Sequence, residues 1–187
     1  MRKLKMEELG RLSPEQMRLR HKMPVILVLD NIRSALNVGA AFRTADAFAL
    51  EKIYLCGITA TPPHREILKT ALGAHESVSW EYAEEACGVV DQLKSAGWQV
   101  LAVEQAEGSI PLHEFGVESS GRYALVFGNE VNGVGDPVMQ TVDACLEIPQ
   151  FGTKHSLNVS VSVGIVAWQL VCRLLESGLG SISNKTS

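Results

Sequence analysis

Several kinds of chemistry are missing from this 187-residue sequence. Its four cysteines, Cys56, Cys87, Cys145 and Cys172, stand far apart and form no CxxC pair. That leaves no sequence-evident zinc site, no other metal site and no disulfide framework; buried free thiols in a reducing cytosol is the plainer reading. The glycine-rich stretch at 128–135 has neither G-x-G-x-x-G spacing nor a following Gly-Lys-Ser/Thr, so dinucleotide and P-loop fingerprints are both absent. No nucleophile elbow surrounds Ser156, and its neighbour His155 does not make it a hydrolase serine. No secretory h-region opens the chain, and no uninterrupted apolar run approaches membrane-spanning length. The expectation is a cytoplasmic protein without a membrane partner. Repeats, low-complexity segments and interior linkers are also absent.

Charge is short of either extreme. The formal net charge of −4 alone speaks against a nucleic-acid partner. Its distribution speaks differently, because residues 1–22 carry seven Lys/Arg against three Asp/Glu, leaving ten against eighteen for the rest. A basic arm on an acidic body can contact phosphates locally; a solvated terminal helix would look the same.

What is there fits one domain, with 46% hydrophobic and 20% charged residues. Ser13-Pro-Glu-Gln16 has a capping-box layout, so a short helix should run towards Lys22. Apolar runs predict strands at Val25–Leu29, Lys52–Cys56, Val78–Trp80, Trp98–Val103, Tyr123–Phe127 and Ala144–Ile148. Helical spacing predicts helices over Asn37–Leu50, up to Gly73, over Glu84–Ala96 and from about Leu157 to Glu176. Alternation of helices with strands apolar on both faces predicts an α/β fold, a mostly parallel sheet with helices on both faces. The expected organisation is an arm at 1–22, a domain at 23–177 and a flexible tail at 178–187.

In such a sheet, ligands sit beyond the carboxyl ends of the strands. Asp30-Asn31, Glu104-Gln105, Gly128-Asn-Glu130 and Pro149-Gln150 all follow strands and should cluster at one edge. Asn37 suits a helix cap. Gly39 costs helix propensity, which is easier to explain if something approaches the backbone there. Residues 151–176 give three answers at once: a polar opening, an alternating middle and an apolar helical end. Placing Ser156 and Asn158 at the amino end of the last helix resolves the conflict and suits an anionic ligand group.

Together these segments resemble the motifs of the SpoU/TrmH family, RNA 2′-O-methyltransferases of the SPOUT superfamily. N-x-G-x-x-x-R matches at Asn37, Gly39 and Arg43. G-x-E-x-x-G matches at Gly128, Glu130 and Gly133. The third motif matches at Ile148, Pro149, Gly152, Ser156, Leu157, Asn158, Val159 and Ser160, and the likeness spans residues 24–176.

The resemblance implies a C-terminal trefoil knot, a homodimer, S-adenosyl-L-methionine as cofactor and tRNA or rRNA as substrate. By family pattern Arg43 is catalytic on the ribose 2′-hydroxyl, supported by Asn37, Glu130, Ser156 and Asn158. Gly128, Asn129, Ile148, Gln150, Leu157 and Asn158 would hold the cofactor. Arg2, Lys3, Lys5, Arg18, Arg20 and Arg43 would meet RNA. A guanidinium is a poor general base, so Arg43 more safely anchors a phosphate and stabilises a developing alkoxide. Three other readings stay open: an RNA-binding module without catalysis, a base-methylating relative, and a small-molecule nucleotide-binding enzyme.

Overall fold

The Ser13 hydroxyl accepts the Gln16 amide, and the Gln16 side chain accepts the Ser13 amide in return. This capping box starts helix α1 (Pro14–Leu19), as its sequence layout predicts. The computed structural model describes residues 1–5, 8, 10, 12–154 and 156–178. His155 and all but the first residue of the expected tail therefore lie outside the described residues.

After α1 come β1 (Met23–Asp30), α2 (Ala35–Ala47), β2 (Leu50–Cys56), α3 (Arg65–Ala71), α4 (Ala74–Ser77) and β3 (Trp80–Ala83). Helix α5 (Ala86–Ser95), β4 (Gln99–Val103), β5 (Ile110–Pro111), β6 (Tyr123–Phe127) and α6 (Asp136–Met139) lead to β7 (Ala144–Glu147) and α7 (Val159–Glu176). Among the described residues these strands form one sheet in the order β3-β2-β1-β6-β4-β7-β5. Every pairing is parallel.

Parallel strands need covered faces, and both are covered. On one side Leu27, Leu29, Leu125 and Phe127 join Val38, Phe42 and Ile67 of α2 and α3 with Val166 and Leu170 of α7. On the other, Ile26, Val28, Ala124 and Val126 meet Val89, Val90 and Leu93 of α5 and Val138 of α6. Each large aliphatic buried this way contributes about 1.5–3 kcal/mol, so the two layers fix the sheet's strand ends in place.

Two expectations need correction, one strand was not expected, and one expectation finds its cause. The third strand is Trp80–Ala83 rather than Val78–Trp80, because Val78 ends α4 and its amide bonds the Ala74 carbonyl. The two-residue β5 has no apolar run to announce it. Helix α2 is capped by Ser34, whose hydroxyl accepts the Asn37 amide, so Asn37 stands inside the first turn. The backbone of Gly39 is closely approached, as its helix cost suggested, and the neighbour is α3: a methyl there would collide with the Thr70 hydroxyl and the Ile67 carbonyl.

Helix α7 has 18 residues and a mean hydropathy of 1.5, enough by length and composition to cross a bilayer. Its apolar character has two faces. Val163, Val166, Ala167, Leu170, Val171 and Leu174 are buried in the domain, whereas Val161, Ile165, Trp168 and Leu175 are exposed.

Candidate active site

Strand β6 is buried along its whole length, and the chain must turn sharply where it ends at Phe127. Asn129 and Gly133 exchange backbone hydrogen bonds at 2.9 and 2.8 Å, closing the turn. A methyl on Gly128 would collide with the backbone of Gly133 and Val134, and Gly133 itself has φ +68°. The Asn129 side chain is committed to the protein. Its Oδ1 accepts the Val131 and Asn132 amides, and its Nδ2 donates to the Asn31 carbonyl at 2.8 Å. Asn31, at φ 55°, in turn bonds buried Asp30 and the Ile58 amide. Burial pushes the Asp30 carboxyl above its ordinary value, against the pull of the Asn31 amide and the Gly135 N–H.

The same turn projects Glu130 onto the start of α2. Its carboxylate accepts the Arg33 amide at 2.8 Å, the Ser34 amide at 3.0 Å and the Asn37 side-chain amide at 3.1 Å. Partial burial opposes the charge, but these donors outweigh it and hold the carboxyl below its usual range. Asn37 passes the connection on, because its Oδ1 accepts from Asn158 Nδ2 at 3.2 Å. Asn158 caps α7 and accepts from the amide and hydroxyl of Ser160. Each of the three sequence motifs thus contributes one side chain to a continuous path, Glu130–Asn37–Asn158.

Beside this path lies a cavity of about 440 Å³ at the carboxyl ends of β4, β6 and β7. Its size is that of a small-molecule site. Gly128, Asn129, Glu130, Ile148, Gln150, Ser156, Leu157 and Asn158 all line it. Eight of the expected site residues therefore converge, at the sheet edge where strand-end chemistry was anticipated. Asn37 joins through its hydrogen bonds. Glu104 and Gln105, expected at this edge from their place after a strand but given no specific role, line the same cavity, as do Val131 and Ser162, which sequence reasoning did not single out. Glu104 and Glu130 supply two carboxylates, with no Lys or Arg among the described lining residues.

Arg43 is not in this cavity. Six residues beyond Asn37, under two turns on, it lines two other clefts, with Phe48 in both, Trp168 in one and Gly164 in the other. Arg20 shares the first of those clefts. The remaining basic residues are dispersed: Arg2 pairs with Glu8 at 2.6 Å, and Arg18 donates to the Glu76 carbonyl. Lys3 and Lys5 are exposed. Among the described residues no His/Cys/Asp/Glu group is arranged for a metal ion.

Residues 24–168 match the sequence model of the SpoU rRNA Methylase family. The chain is 28% identical over 158 residues to the tRNA (guanosine(18)-2′-O)-methyltransferase of Borreliella burgdorferi, covering 84% of this chain and 71% of that protein. It is 32% identical over 143 residues to the 23S rRNA (guanosine-2′-O-)-methyltransferase RlmB of Neisseria meningitidis, covering 76% of this chain and 56% of that one. The AdoMet-bound rRNA methyltransferase from Sinorhizobium meliloti superposes with a TM-score of 0.75 at 29% identity, over 88% of this chain and 62% of that one. The chain spans less than two thirds of both rRNA enzymes.

Proposed function

Because the chain belongs to the SpoU rRNA Methylase family, we propose that it transfers the methyl group of S-adenosyl-L-methionine to a ribose 2′-hydroxyl in tRNA or rRNA. The observation that carries the reading is the path from Glu130 through Asn37 to Asn158 at the mouth of the cavity. Three stretches distant in sequence meet there, at the amino ends of α2 and α7. The cavity also fits the cofactor. Two carboxylates without a described Lys or Arg suit a cation and disfavour a nucleotide phosphate. That argues against a nucleotide-binding enzyme.

When bound, the cofactor supplies an electrophilic methyl group on a sulfonium. The protein's own task is alignment and management of the hydroxyl proton. Backbone groups of Gly128, Ile148 and Leu157 would hold the cofactor's adenosine portion, and Ser156 and Asn158 would shape the end of the site that admits the substrate ribose. Glu130 is not the base, since its charge is committed to three donors on α2. Asn37 and Asn158 cannot serve as bases either, being neutral amides. They position.

Arg43 acts from a second copy in this reading. What supports it is the exposed row Val161, Ile165, Trp168 and Leu175, whose spacings of four, three and seven form a stripe on α7. A second copy covers this stripe, and Arg43, in the cleft beside Trp168, reaches the partner's cavity. There it anchors a phosphate and stabilises the developing alkoxide, with the proton leaving through that phosphate or water. The knotted passage of the chain around the 128–135 turn belongs to the same proposal. So does a cytoplasmic site of action, where the RNA substrates are.

The test supplies methyl-labelled cofactor with unmodified tRNA and rRNA, then digests the product to nucleosides. Ribose label in one pool supports the reading and names the substrate class. Base label would make the protein a base-methylating relative, and cofactor binding without label in either pool would favour the RNA-binding module. Mixed dimers of Arg43→Ala with Asn158→Ala test the geometry. Action across the interface restores one intact site per dimer, whereas action within one copy restores none.

A further inference from the structure

Glu104 lies outside all three motifs, yet it is a carboxylate in the cavity wall at the end of β4. Building on the methyltransferase reading, we infer that Glu104 makes the cavity distinguish the cationic cofactor from its uncharged-sulfur product, S-adenosylhomocysteine.

The geometry fixes the carboxylate firmly. Oε1 accepts the Gln105 amide at 2.9 Å and Oε2 accepts the Val134 amide at 3.1 Å. The glycine turn is folded down on it, so closely that a methyl on Gly133 would collide with Oε2. Glu104 therefore clamps the turn that forms one side of the cavity. Its charge has a second consequence.

The two cavity carboxylates are not equivalent. Glu130 faces the amino end of α2, where three donors and the helix dipole offset its charge. Glu104 receives two backbone amides from a strand end and a turn, the second just ahead of the single-turn helix α6, and no side-chain donor joins them. No Lys or Arg among the described lining residues balances it. Its field is left for the occupant.

Methyl transfer breaks the carbon–sulfur bond, forms a carbon–oxygen bond and releases the hydroxyl proton, so the sulfur loses its positive charge. The adenosine and amino-acid portions are unchanged. A fixed negative charge in a partly shielded cavity holds the sulfonium more tightly than the thioether, and the preference disappears once the methyl has left. Glu104 thus favours loading of fresh cofactor and release of product.

Calorimetric titration of S-adenosylmethionine and S-adenosylhomocysteine into the full chain tests this, using wild type, Glu104→Gln and Glu104→Asp. Glutamine removes the charge but keeps one acceptor. It should weaken cofactor binding about tenfold and product binding about threefold or less, shrinking the preference. Aspartate keeps the charge but shortens the clamp, so both affinities should fall while their ratio stays near wild type. The same ratio, read as product inhibition constant over cofactor KM, should follow. Parallel losses in Glu104→Gln would make Glu104 a clamp alone and overturn the inference, as would unchanged affinities. Wild type binding neither ligand would remove the methyltransferase reading and this inference with it; wild type binding both, with an unaltered ratio in Glu104→Gln, overturns this inference alone.

Discussion

Replacing Glu130 by glutamine separates a positioning carboxylate from a catalytic base. Glutamine keeps the shape but presents one oxygen where the carboxylate presents two. The Arg33 and Ser34 amides approach opposite oxygens, so one of them would face an NH2 group instead of an acceptor. Hydrogen bonds to a charged group contribute about 1.5–3 kcal/mol each when shielded. Glu130 is exposed, and screening reduces the expected loss to about 1–2 kcal/mol in total. Urea unfolding at pH 7 measures it. Partial burial works against the ionised form, but the surrounding donors win and the folded carboxyl sits below its usual range. Its stabilisation is therefore complete above the unfolded-state value and is lost as pH falls through the folded one. The gap between wild type and Glu130→Gln should be full at neutral pH and close below about pH 4. Turnover should fall about tenfold, the effect of one weakened positioning bond. A loss of about a hundredfold to ten-thousandfold, with no stability gap at pH 7, would identify a base and refute the argument.

Other perturbations probe other links. Gly39→Ala forces α2 away from Thr70 and Ile67 and should cost about 1–3 kcal/mol, lowering Tm by several degrees while cofactor affinity stays within about twofold; lost binding at unchanged Tm would put a ligand at Gly39 after all. Gly128→Ala should abolish cofactor binding by calorimetry, because the new methyl meets backbone rather than a movable side chain. Trp168→Glu should give a monomer in sedimentation velocity with an intact fold by circular dichroism; a persistent dimer would move the interface elsewhere. Burial, with a contribution from the Asp30 charge, pushes the Cys56 thiol up to about 12, so peptide mapping after treatment at pH 8 should find it unmodified in native protein and modified in urea.

The layers of the fold were legible because parallel strands buried on both faces must be continuous apolar runs. Val25–Leu29 and Tyr123–Phe127 could hardly be anything else, and the structure makes them neighbours at the sheet centre. Legibility stopped where tertiary contact overrides local preference. Asn37 is a good cap residue, but Ser34 lies closer to where β1 delivers the chain and takes the cap, freeing the Asn37 side-chain amide for Glu130. Close approach at Gly39 was legible from its cost to the helix, but sequence cannot say which element will come near, and it is α3. The cavity residues Gly128 and Asn158 were readable from their places after a strand and before a helix, whereas Ile148 came only from the family resemblance. Where Arg43 points was not. Six positions along α2 turn it away from Asn37, and only the three-dimensional arrangement puts it beside Trp168.

The path from Glu130 to Asn158 also bears on how the protein becomes competent. Its two links join residues 93 and 121 positions apart, so neither forms until most of the chain has found its place. Contacts of such separation are slow to close, because chain entropy must be given up before they reward it. Competence for the cofactor is therefore acquired late, and a ligand added during refolding has nothing local to bind. Once the site exists, the ligand acts on the whole native state: at a hundred times its dissociation constant it adds about 2.7 kcal/mol to global stability. Cofactor concentration thus becomes a control on how long the finished molecule survives, as well as on how fast it works.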